Sequence, residues 1–312
     1  MVFELREVPV PEPAPGQLLI RVSATSLNRG DILATIARHR ADVARPAGVD
    51  AAGEVAAIGA GVDEFRAGDR VMVRARGCFA QYVLADAALA TTVPACLSWE
   101  QAAAVPIAFV TAWESLIQFG RLQAGEWVLI AGASSGVGVA CIQVAKYRGA
   151  HTIGVSGSAT KLARLLALGL DAGIVARGSE FGSEAVAATG GHGVDIAVNL
   201  VGGTAFSACV GTLADFGRLA VVGYVDGVMN ASFDLEATHG KRLQIFGVSN
   251  SPLTPAARAV ATQGFNRDVL PGLTDGTITP VVDRVFAFED LQAAKTYVER
   301  GAHVGKVIIR VV

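Results

Sequence analysis

Apolar and polar positions along the chain fall into two rhythms. In the first part, short apolar or alternating runs ("QLLIRVSA", "AAGEVAAIG", "DRVMVRA", "FAQYVLAD") are separated by Gly, Asp and Pro. This spacing predicts β-strands joined by tight turns, and so a β-rich first domain. It ends near "TTVPACLSWEQAAAVPIAFVTAWESL", whose last part reads as helical and leads into "GEWVLIAG". From Glu126 the rhythm becomes strand and helix in alternation. "WVLIAG", "HTIGVSG", "AGIVAR", "VDIAVNLVGG", "GRLAVVGYV" and "RLQIFGVSN" read as strands. Helices are predicted around Val139 to Arg148 and at "SATKLARLLALGL", "SEAVAATGG" and "TAFSACVGTLAD". Near-continuous apolar strands linked by helices predict an α/β domain, a doubly wound parallel sheet covered on both faces. The tail "VVDRVFAFEDLQAAKTYVERGAHVGKVIIRVV" ends in a strand that could return to the first domain. The expected division is 1–107 with 253–312 for the β-rich domain and 108–252 for the α/β domain.

The junction "WVLIAGASSGVGVACIQVAK" carries the first chemistry. A strand that ends in a Gly-rich turn and opens a helix leaves backbone N–H groups pointing outward. With the helix dipole these make an anion site. Gly132 allows the tight turn, and Gly136 and Gly138 allow close approach of a phosphate and close helix–strand packing. Ser134, Ser135 and Val137 complete the candidate loop. The spacing is Gly132-x-x-Ser135-x-x-Gly138, not a strict GxGxxG, and a packing turn without a ligand is the alternative. Trp127 to Ala145 is uncharged for long enough to resemble a membrane span. The glycines and serines in its middle favour strand, turn and buried helix in series.

The next strand selects the nucleotide. NAD sites carry an acidic residue roughly 20 positions after the first Gly, bonded to the ribose hydroxyls. Here that strand ends "TIGVSGSATK", with no acid. Ser156, Gly157 and Ser158 precede a helix, and Lys161 lies in its first turn. Hydroxyls, backbone N–H groups and an ammonium suit a 2′-phosphate, which a carboxylate would repel. The expected cofactor is NADPH. Taken singly, Ser158 reads equally as a helix N-cap and Lys161 as a solvated surface residue.

Composition narrows the class. In 312 residues, hydrophobic ones make up 52% and charged ones 17%, so a sizeable core is available. A net charge of -2 gives no reason to expect nucleic acid or an anionic membrane as partner. Cys78, Cys96, Cys141 and Cys209 form no CxxC pair, so reduced, buried thiols are expected rather than disulfides or a zinc lobe. The start "MVFELREVPV" has no apolar signal region, so a cytoplasmic location is expected.

GASSGVG also resembles the cofactor loop of short-chain dehydrogenases. Those place it near the N-terminus and use Tyr-x-x-x-Lys, and here none of Tyr82, Tyr147, Tyr224 or Tyr297 has a lysine four residues on. The chain instead resembles, almost end to end, the zinc-free quinone oxidoreductase, or zeta-crystallin-like, branch of the medium-chain dehydrogenase/reductase superfamily. The resemblance runs through "LREVPVPEPAPGQLLIRVSATSLNRGDIL", "GVDAAGEVAAIGAGVDEFRAGDRV", "VPIAFVTAWESL", "VLIAGASSGVGVACIQVAK", "GVDIAVNLVGG", "GRLAVVGY" and "HVGKVIIRVV". It implies a GroES-like β-rich catalytic domain joined to a Rossmann domain, with the cofactor in the cleft between them, and a homodimer. It further implies cofactor contacts at Thr111, Asn199, Val201, Gly223, Tyr224, Val248, Ser249 and Lys306. Arg177 follows Ala176, where relatives carry Tyr, and is a further candidate for the 2′-phosphate. Zinc-dependent relatives place a ligand Cys and a ligand His where this chain has Asn28 and Val49. Valine has no lone pair and a neutral amide is a poor zinc ligand, so no catalytic metal is expected.

Without a Lewis acid, alcohol oxidation loses its alkoxide stabilisation. Hydride delivery from NADPH to a quinone, or to the β-carbon of an enone, needs only hydrogen-bond donors and a final proton. Asn28 is the candidate polar group near the nicotinamide or the substrate carbonyl, against the alternative of a turn residue capping the following helix. Asp50 is its candidate orienting neighbour. The expected substrate is a small quinone or enone. The alternatives are an enoyl thioester on CoA or a carrier protein, in polyketide or fatty-acid assembly, and an NADPH-binding protein with little turnover. Pocket shape is expected to depend on the loops "ATIARHRADVARP" and "NSPLTPAARAVATQGFNRDVL".

Overall fold

The computed structural model describes residues 2–32, 45–249 and 254–311. The strands in chain order are β1 (Gln17–Leu27), β2 (Asp50–Ile58), β3 (Arg70–Arg74), β4 (Tyr82–Asp86), β5 (Ala90–Thr92), β6 (Trp127–Ala131), β7 (His151–Ser156), β8 (Ala172–Val175), β9 (Val194–Asn199), β10 (Leu213–Val221), β11 (Gln244–Gly247), β12 (Val282–Ala287) and β13 (Lys306–Arg310). The chain divides into two compact units, Met1–Ala108 with Pro255–Val312, and Phe109–Thr254.

The first unit is built on β1. This strand buries Leu18, Ile20 and Val22 completely. It pairs antiparallel with β2 along one side, and on the other with β4 near its start and β13 near its end. Register shifts at Leu19/Ile20 and Val22/Ala24 bend the strand. Gly53 lies against that bend, where a Cβ would come 2.0 Å from the Arg21 carbonyl oxygen, so only glycine lets the backbones approach. The sheet runs β12-β13-β1-β2-β3-β5, with β4 also on β1. The final strand therefore returns to the first unit. β12, parallel to β13, and the helix Pro255–Asp268 were not legible as elements; the latter lies largely in the segment expected to be a loop.

The second unit is a parallel sheet in the order β11-β10-β9-β6-β7-β8. Val128 to Ala131 and Ile196 to Val198 are fully buried, as central strands covered on both faces must be. Helices Gly136–Tyr147, Ala159–Ala167, Gly182–Ala188 and Gly203–Gly211 follow β6, β7, β8 and β9. The fold class is the expected one, a β-rich unit and a doubly wound α/β unit. No helix of the described residues is long and apolar enough to cross a membrane.

Candidate functional site

In the second unit the strand order reverses between β6 and β9: the chain proceeds outward through β7 and β8 on one side and through β10 and β11 on the other. Open α/β sheets bind ligands beyond the C-terminal strand ends at such a switch point. The turn after β6 lies there. Gly132 has φ +88°, and its N–H and that of Ala133 both donate to Val155 O. Ser135, at φ -70°, caps helix Gly136–Tyr147: its Oγ accepts from Gly138 N and donates to Gly132 O. The serine in place of a common glycine is thus absorbed as an N-cap, and the helix starts at Gly136 rather than near Val139. A Cβ on Gly138 would stand 2.6 Å from the carbonyl oxygens of Gly132 and Ala133, so glycine alone lets the helix close on the strand end. Among the described residues the N–H groups of Ser134, Gly136 and Val137 have no backbone acceptor, and they lie at the positive end of the helix.

β7 ends at Ser156, followed by Gly157 and Ser158. Ser158 caps helix Ala159–Ala167 by accepting from Lys161 N. The Arg177 guanidinium covers Gly157: a Cβ there would lie 2.9 Å from Arg177 Cζ. Positions 156–161 hold no carboxylate. The Arg177 guanidinium and a helix N-terminus at an acid-free turn fit a dianionic phosphate.

Asn199, Val201, Gly223, Tyr224, Val248 and Ser249 lie at or just beyond the C-terminal ends of β9, β10 and β11. Asn199, at the end of β9, spends its amide locally: Oδ1 accepts from Val201 N and Gly202 N, and Nδ2 donates to Gly202 O. It shapes the loop that presents Val201 and has no bond left to offer as an acceptor. Gly223 follows β10 and packs within 3.2 Å of Leu200 O at its Cβ position, and Tyr224 beside it is exposed. Beyond β11, Val248 is buried and donates its N–H to Val221 O, while Ser249 is exposed. Thr111 is buried in helix Pro106–Trp113, and its carbonyl accepts from Ser115 Oγ.

The first unit brings together the catalytic candidates. Asp50 is fully buried. Its Oδ2 accepts from Ser26 Oγ at 2.7 Å, Asn28 Nδ2 at 2.8 Å and Lys306 Nζ at 3.1 Å, and its Oδ1 accepts from Ile107 N at 2.9 Å. Lys306 Nζ also donates to Asn28 Oδ1 at 2.6 Å. Lys306 turns its ammonium into this cluster, with its side chain only 6% exposed. The reason is β-pairing, which buries the start of β13 against the end of β1. Asp31, absent from the expected site, accepts Asn28 N at 2.8 Å. Burial pushes its carboxyl up to about 7; the Asp50 charge adds to this, and the Asn28 backbone bond and Lys306 oppose it. Burial raises the Cys78 thiol well above its ordinary value, with Asp50 and Asp31 adding to the effect.

A catalytic zinc does not fit these residues. Asn28 already binds a cation, the buried ammonium of Lys306, and Val49 offers only its backbone. A second cation would meet that ammonium at close range. Among the described residues no group of three His, Cys, Asp or Glu side chains could hold a metal. Three of the cysteines are buried as expected; Cys96 is not. It sits in the turn before helix Trp99–Ala103, with Sγ donating to Leu273 O. The segment 34–46, expected to shape the pocket, lies almost wholly outside the described residues, as do 250–253.

Comparison with known proteins fits this geometry. Residues 14–95 match the model of the alcohol dehydrogenase GroES-like domain, and residues 136–260 that of the zinc-binding dehydrogenase. A mycocerosic acid synthase-like polyketide synthase of Mycobacterium tuberculosis is 34% identical over 96% of this chain, which spans only 14% of that synthase. An alcohol dehydrogenase superfamily protein from Novosphingobium aromaticivorans is 30% identical, with a TM-score of 0.87 over all of this chain and 96% of that one. Mycobacterial Rv1454c, solved in complex with NADPH, is 26% identical, with a TM-score of 0.88 over 98% of this chain and 95% of that one.

Proposed function

Since this chain belongs to the alcohol dehydrogenase, or medium-chain dehydrogenase/reductase, superfamily and matches its quinone oxidoreductase branch, we propose that it is an NADPH-dependent, zinc-independent reductase of quinones or of C=C bonds conjugated to a carbonyl. The observation that carries this reading is the amide of Asn28, held between a buried ammonium and a buried carboxylate where a metal ligand would otherwise be needed. The NADPH of the related Rv1454c supports the choice of cofactor.

The backbone donors of Ser134, Gly136 and Val137 hold the pyrophosphate at the helix N-terminus. Arg177, Lys161 and the turn at Ser156–Ser158 take the 2′-phosphate. When bound, NADPH supplies the hydride. Asn28 donates an amide N–H to the substrate carbonyl oxygen, which gains negative charge as the double bond accepts the hydride. Ser26 and Asp50 keep that amide in place, and water supplies the proton that completes the reduction.

A second reading, an enoyl-thioester reductase, draws support from the polyketide synthase relative. It differs in the group carried by the carbonyl and uses the same residues. Following NADPH consumption with a quinone, an enone and an enoyl-CoA separates the two. Oxidation with none of them, despite tight NADPH binding, would leave the binding-protein alternative.

A further inference from the structure

We propose that Lys306, with Asp50, is a positioning residue that fixes and polarises the Asn28 amide, leaving one of its N–H bonds as the donor to the substrate. The inference rests on the reading of Asn28 as the group that meets the carbonyl oxygen.

The geometry allows Asn28 a single amide orientation. Its Oδ1 faces an ammonium and its Nδ2 faces a carboxylate. Rotation by half a turn would set the NH2 group against the ammonium and the oxygen against the carboxylate, replacing two attractive contacts with two repulsive ones. The backbone is fixed as well: Asn28 N donates to Asp31 Oδ2, and Asp31 N donates back to Asn28 O. An amide nitrogen carries two N–H bonds. Asp50 takes one, and no described residue accepts the other.

The ammonium does more than orient. A cation on the carbonyl oxygen draws electron density from the amide nitrogen and strengthens the remaining N–H as a donor, an effect enlarged where water is excluded. Lys306 is itself anchored. Its N–H donates to Val281 O, and the preceding Gly305 has φ +86°, with its Cβ position 2.4 Å from the same oxygen. Asp50 cannot swing away, because its carboxylate also accepts from Ser26 and Ile107. Lys306 therefore acts through Asn28, not on a cofactor phosphate.

The test is steady-state kinetics on the purified full chain with a quinone and an enone, together with NADPH binding and thermal unfolding, for Asn28→Ala, Lys306→Met and the two combined. Asn28→Ala is expected to lower kcat about a hundredfold. Lys306→Met is expected to lower it about tenfold or more, with the NADPH dissociation constant within about twofold of the parent. In the Asn28→Ala background, Lys306→Met is expected to have no further effect on kcat. If Lys306→Met alone leaves Asp50 unpaired and the chain unfolded, Asp50→Asn with Lys306→Met removes both charges and carries the same test. Additive losses, a weakened NADPH affinity, or a double variant that also fails to fold would overturn the inference while leaving the proposed function standing. An unchanged kcat in Asn28→Ala would instead sink the reading of Asn28 itself.

Discussion

Lys306 Nζ stands 2.6 Å from Asn28 Oδ1, although 278 positions separate the two residues in the chain. The antiparallel register of β1 and β13 makes the contact. It sets Leu27 opposite Val307, so the residue after the one and the residue before the other arrive at the same place. The last strand of the chain thereby completes a site begun by the first.

Gly138→Ala is expected to weaken NADPH binding and the fold together. The added methyl would meet two carbonyl oxygens at 2.6 Å, and neither belongs to a side chain that could turn aside. Overpacking of this kind costs about 1–3 kcal/mol. Urea unfolding and NADPH titration of the variant check it; a parent-like midpoint and affinity would show that the helix need not sit so close.

Arg177→Ala is expected to raise the NADPH dissociation constant about tenfold, the scale of one charge-assisted hydrogen bond, and to leave NADH binding unchanged. Gly157→Ala should shift affinity in the same direction, because its methyl would displace the guanidinium. Equal losses for both nucleotides would remove Arg177 from the 2′-phosphate.

Asp31 gives a pH dependence with a definite sign. Its carboxyl is raised from an ordinary 3.8 to about 7, so the folded protein keeps a proton that the unfolded chain has lost between those values. Its contribution is complete below the ordinary value and is lost as pH rises through about 7. Asp31→Asn keeps an acceptor for Asn28 N and removes the titration. Unfolding measured across this window should show the variant gaining on the parent as pH rises, by on the order of 2–4 kcal/mol at the upper end. Parallel curves would contradict this.

Arg218 ties together the N-terminal ends of the central strands. Its guanidinium grips both oxygens of Glu126 and donates to Gly120 O and Asp195 O. Removing one partner of a largely buried pair strands the other, so Arg218→Ala is expected to destabilise the protein by about 3–5 kcal/mol. Chemical denaturation checks this, and a loss under about 1 kcal/mol would show the pair to be solvent-screened.

The parallel sheet was legible because its strands are apolar runs and its helices follow at regular intervals. The Gly-rich turn after β6 was legible because glycine and serine have few other reasons to interrupt such a run. The helix Pro255–Asp268 was not legible: Gly264 and polar residues break its apolar pattern, and the one signal present is a proline at its first position. β12 was missed because Asp283 and Arg284 interrupt its short apolar run, which an edge strand tolerates. Asn28 and Asp50 could be singled out from sequence. Lys306's place between them could not, because it follows from strand register. The same holds for Asn199, whose Oδ1 the folded loop occupies.

The most direct test of the account is single-turnover reduction of an enone by NADPH carrying deuterium at the transferable position, with and without prior treatment by EDTA. The account predicts deuterium on the β-carbon of the saturated product, at a rate that metal removal leaves unchanged. Deuterium on the carbonyl carbon, or activity lost to EDTA and restored by zinc, would contradict it.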